Sequence, residues 1–118
     1  MRTRSEADMA STIMVKVYGS ICPASPALCA ALQAIAQAAG AEGSIEHEGD
    51  LLRIAYEGIY FPTEDIVEAL PRHLTEQSEG RIDHIDFDAW LLTRHIIQDC
   101  TITESSRDLN NVLDFSGH

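Results

Sequence analysis

Apolar and polar positions divide this chain into segments with two different periods. Residues 12–18 alternate, with Ile13, Val15 and Val17 on one side and Met14, Lys16 and Tyr18 on the other. That is the period-two pattern of a strand rich in β-branched residues, and Gly19-Ser20 reads as its end. From Ser25-Pro26 the period changes. Leu28, Leu32, Ile35 and Ala39 recur at helical spacing in an alanine-dense stretch. Ser25 can cap this helix, Pro26 suits its first position because that N–H has no intrahelical partner, and Gly40 stops it. The small side chains of Ala30, Ala31, Ala34 and Ala38 would let the helix lie close to a sheet.

Residues 44–47 and 50–57 read as two strands around the polar spacer Glu48-Gly49-Asp50, a hairpin signal. Leu52, Ile54 and Tyr56 fall on one face of the second strand. Pro62-Thr63-Glu64-Asp65 opens a second helix, with Thr63 as its cap and two acids in the first turn. Ile66, Val67 and Leu70 form its buried stripe, and Pro71 ends or kinks it. After Gly80 two periods compete. Ile85, Phe87, Ala89 and Leu91 alternate, whereas Phe87, Trp90 and Leu91 match a helix. The stripe breaks at Arg94, so the chain is read as one long or bulged strand over 81–97. Gln98-Asp99 then turns it into a strand at 100–104, and residues 107–118 form an irregular tail. This order predicts an α+β fold with a ferredoxin-like βαββαβ core, an antiparallel sheet with both helices on one face, plus an extra C-terminal strand. The second sheet face then needs a cover from the C-terminal segment or from a partner.

A chain of 118 residues suits one domain. Residues 1–11 are polar and without period, and read as a disordered leader to a single domain over 12–118. Charge changes the picture most. Eight basic residues stand against 19 acidic ones, a net charge of −11, and the charges of the leader cancel. That excludes a protein that tracks nucleic-acid phosphates directly, and one held on anionic lipid. No apolar run reaches the length of a membrane span, and no signal-peptide h-region follows the two early arginines. The odd set Cys22, Cys29 and Cys100 fits a reducing cytoplasm better than a disulfide scaffold.

Candidate chemistry is sparse. The strand ending in Tyr18, followed by Cys22-Pro23-Ala24-Ser25 before a helix, resembles the start of a glutaredoxin over residues 13–32. No Thr-Val-Pro follows for that family's cis-proline loop. The resemblance implies a thiol redox or thiol-ligand role for Cys22, whose thiolate a helix N-terminus would favour. His84, Asp86 and Asp88 carry ligand chemistry, but no metal-binding spacing surrounds them, and no metal or cofactor is expected. The string around Trp90, Leu92 and Arg94 holds residue types that dominate interface hot spots, and these three are the interface candidates. Glu46, Glu48 and Asp50 are candidates for electrostatic contact. With no catalytic motif on view, the expected function is a small acidic, non-enzymatic interaction or regulatory module. Its partner would be another protein chain, either a second copy or a basic protein. An acidic mimic of nucleic acid that inhibits a basic protein is the further alternative.

Overall fold

The computed structural model describes residues 13–110; the expected leader 1–11 and the tail beyond residue 110 lie outside them. These residues form one antiparallel six-stranded sheet and two helices, a mixed α+β unit. The elements are β1 (Val15–Cys22), α1 (Pro26–Ala38), β2 (Ile45–Glu48), β3 (Leu51–Gly58), α2 (Thr63–Ala69) with a 3-10 turn at Leu70–Arg72, β4 (Glu79–Asp86), β5 (Leu91–Gln98) and β6 (Thr101–Asp108). The strand order is β2-β3-β1-β4-β5-β6. Every neighbouring pair is antiparallel. Among the described residues no helix is long and apolar enough to cross a membrane.

The largest departure from the sequence expectation falls at 81–97. This stretch is not one strand but a hairpin of β4 and β5, which raises the strand count to six. The turn is made by Asp86, whose Oδ1 accepts the N–H groups of Asp88 at 2.9 Å and Ala89 at 3.0 Å. An aspartate that bonds its own downstream backbone closes a turn without Gly or Pro. Trp90 completes it at a positive φ of 58°. The last strand also differs. Asp99 and Cys100 take φ values of 55° and 62° as the two-residue loop between β5 and β6, the conformation of a type I′ hairpin turn. Cys100 is therefore a turn residue, and β6 runs on to Asp108. Nor does Gly19-Ser20 end β1, which continues to Cys22. A Cβ at Gly19 would lie 2.5 Å from the Arg81 carbonyl oxygen, so glycine here lets two strands approach closely rather than stopping one.

Both helices pack on the same face of the sheet. Val17 and Ile21 of β1, Leu52 and Ile54 of β3, Ile82 of β4 and Ile97 of β5 share one core with Leu28 and Leu32 of α1, Phe61, and Ile66 of α2. Full burial of such side chains contributes roughly 1.5–3 kcal/mol each. The cap expected at Ser25 is present, with its Oγ accepting the Leu28 N–H at 3.0 Å.

The opposite face carries no helix among the described residues. Leu92, Arg94 and Ile96 do share it, but Trp90 lies in the turn. Their cross-strand neighbours are Ile85, Asp83 and Arg81. Arg94 grips Asp83 with two bonds, Nε to Oδ1 at 2.8 Å and Nη2 to Oδ2 at 3.2 Å, so the arginine meets an internal carboxylate. Glu57 receives the Tyr18 hydroxyl at 2.6 Å and lies 3.8 Å from Lys16. Charged pairs thus cover much of this face.

Candidate functional site

Beside the start of α2, the helix-side surface of β4, β5 and β6 stays open as a cleft of about 400 Å³. That is large enough for a small ligand or a long side chain. Strand alternation supplies its floor, because residues two apart on a strand point to one face. His84 and Asp86 come from β4, Thr93 and His95 from β5, and Glu104 from β6. Tyr60 and Phe61 of the β3–α2 connection and Thr63, Glu64 and Asp65 of α2 form the wall. The register sets Thr93 opposite His84 and His95 opposite Ile82, so the two imidazoles are diagonal neighbours.

Thr63 does not cap α2 as expected. Pro62 holds the cap position with no side-chain bond, and Thr63 instead joins His84, Oγ1 to Nδ1, at 2.6 Å. Either group can donate in this bond, depending on the tautomer. Burial lowers the His84 pKa below the ordinary histidine value; Asp86 and Glu64 draw it up, and His95 pushes it down. The ring is therefore neutral at pH 7. Thr63 is 6% exposed, too enclosed to attack a substrate, so its hydroxyl fixes the imidazole in place. His95 is equally buried, at 6% exposure. Its Nε2 lies 3.3 Å from Glu104 Oε1, while its Nδ1 is buried with no hydrogen-bond partner.

The electrostatics of the cleft have one sign. Among the described residues Glu64, Asp65, Asp86 and Glu104 line it, and no Lys or Arg does. Basic residues are concentrated elsewhere. Of those described, Lys16, Arg53, Arg81, Arg94 and Arg107 all project from the helix-free sheet face, as the register requires. Arg72 is the exception, in the 3-10 turn. A concave surface walled by carboxylates focuses negative potential and attracts cations.

The candidates read from sequence fall elsewhere. Trp90 is 47% exposed and its Nε1 donates to Asn110 Oδ1 at 3.1 Å. Leu92 is buried, at 4% exposure, and Arg94 is half-buried against Asp83. Glu46 and Glu48 stand exposed on the edge strand β2, Asp50 occupies the following turn, and Glu48 lies 3.6 Å from Arg53. Cys22 is exposed at the end of β1, opposite Glu79, and the first helical residue is Pro26. Asp88 sits in the β4–β5 turn, away from a shared strand face with His84 and Asp86. Among the described residues no three His, Cys, Asp or Glu side chains are grouped to hold a metal. Thr63, Glu64 and Glu104 were not site candidates in the sequence, where Thr63 and Glu64 read only as the start of a helix. Only the period-two spacing of Thr93 with His95, and of His84 with Asp86, hints at a shared face. Comparison with models of known families, with curated proteins and with solved structures gave no match.

Proposed function

We propose that this chain is a small acidic, non-enzymatic interaction module that receives a basic side chain of a partner protein in the cleft beside His84 and His95. The observation that carries this reading is the lining itself: among the described residues, four carboxylates and two imidazoles around about 400 Å³, with no Lys or Arg. A guanidinium entering there meets acceptors on several walls, and the exposed ring of Tyr60 offers aromatic surface to its planar group. Catalysis is the weaker reading, because the one hydroxyl–imidazole pair among the described residues has its hydroxyl buried. The scaffold presenting the cleft fits a ferredoxin-like split βαβ unit made of β1 to β4 and the two helices, extended by β5 and β6. The order β2-β3-β1-β4 and its antiparallel pairings support that assignment.

The test is the affinity of a fluorescent peptide carrying four arginines, followed by anisotropy across a salt series. Binding should weaken steeply with salt, and Glu64→Gln with Glu104→Gln should weaken it by about tenfold, the loss of one charge-assisted contact of roughly 1.5 kcal/mol. Salt-insensitive binding, or unchanged affinity in the double variant, contradicts the proposal.

A further inference from the structure

We infer that two copies of this chain pair face to face through the helix-free surface of the sheet. The first argument is charge. The chain carries −11, so most contacts between two copies are repulsive. On the helix-free face alone, five basic side chains meet five carboxylates and the net charge vanishes.

The second argument is how those charges are laid out. The β2–β3 side presents Glu46, Glu48 and Glu57 against a single Arg53. Among the described residues the β5–β6 side presents Arg94 and Arg107 and no carboxylate. Between them, Lys16 and Arg81 balance Glu79 and Asp83 on β1 and β4. A two-fold axis parallel to the strands, between β1 and β4, therefore lays the acidic side of one copy on the basic side of the other. An isologous contact needs this self-complementarity.

The third argument is area. Five strands of eight residues and the four-residue β2, spaced about 4.8 Å apart with about 3.3 Å per residue, give roughly 600–700 Å² per copy. Burying about 1,200 Å² in all reaches the lower end of stable interfaces. Ile96, 42% exposed, and Tyr18, 41% exposed, add apolar contact to the ion-paired surface. This face and the acidic cleft lie on opposite sides of the sheet, so either inference can fail without the other.

Sedimentation velocity of the full chain over a concentration series tests the pairing, with circular dichroism to confirm that each variant folds. The expected result is a discrete dimer that tightens at least tenfold from about 20 to about 150 mM salt as the charge of the two copies is screened, opposite in sign to cleft binding. Glu57→Lys alone and Arg107→Glu alone, which this axis brings side by side at the level of Leu92, should each weaken it about tenfold, and the double charge swap should restore it. Glu68→Lys on α2 should not weaken it. A monomer at every concentration, as a terminal segment or another protein seated on this face would give, overturns the inference. So does a dimer that neither single reversal weakens, or one that the double swap fails to restore.

Discussion

Replacing His95 with leucine should stabilise the fold while weakening the cleft. The ring is 6% exposed and its Nδ1 is buried without a hydrogen-bond partner. An unpaired buried polar atom costs about 1–3 kcal/mol. Against that stands the contact from Nε2 to Glu104 at 3.3 Å. The Glu104 side chain is 64% exposed, and screening by solvent holds such a pair to about 0–1 kcal/mol. Leucine has a similar volume and would lie beside Ile82 across the β4–β5 ladder, so little cavity or strain is added. The balance favours His95→Leu by about 1 kcal/mol, which corresponds to a rise in Tm of roughly 3–6 °C for a domain of this size. Thermal and urea unfolding followed by circular dichroism would read it, and the arginine peptide should bind the variant less tightly. A residue kept at a cost in stability is the pattern expected at a binding site. A loss of about 1 kcal/mol or more would refute the reasoning, because it would mean that Nδ1 is satisfied and that the imidazole is a structural element.

Other substitutions and conditions probe separate parts of the account. The folded-state pKa of His84 lies below its ordinary 6.5, so the unfolded chain takes up the proton first as pH falls. Its contribution to stability is complete above about pH 6.5 and fades as pH drops toward the lowered value; His84→Gln should flatten that limb in urea melts across pH, and an unaltered limb would remove His84 as its source. Gly19→Ala forces a Cβ to within 2.5 Å of the Arg81 carbonyl oxygen and should destabilise by roughly 1–3 kcal/mol; a neutral effect would show that β1 and β4 separate easily. Cys29 is 4% exposed with its pKa raised by burial, whereas Cys22 and Cys100 are exposed. Mass spectrometry of the alkylated native protein should find Cys29 modified last, and equal rates at all three thiols would contradict the packing of α1.

Local signals were legible where a segment decides its own structure. Ser25, Pro26 and the leucine spacing define α1, and Leu52 and Ile54 mark the buried face of β3. They failed where a side chain overrides a continuing pattern. The alternation Ile85, Phe87, Ala89, Leu91 runs unbroken through a turn that Asp86 closes with its carboxylate, so two strands read as one. The cleft was hidden for the same reason. His84 and His95 become neighbours only once residues 87–90 reverse the chain. Thr63, which looks like a helix cap in sequence, instead spends its hydroxyl on His84. On the helix-free face, hydrophobic Leu92 and Ile96 are legible locally, while which carboxylate meets Arg94 is set by strand register.

The central claim, an acidic cleft that accepts a basic side chain, is tested most directly by a two-dimensional amide NMR titration with the four-arginine peptide. The account predicts saturable shifts centred on Thr63, His84, Thr93, His95 and Glu104, lost at high salt and absent from Arg81 and Ile96 on the opposite face. Shifts spread evenly over exposed acids such as Glu46, Glu48 and Asp50, or no shifts at the cleft, would contradict it.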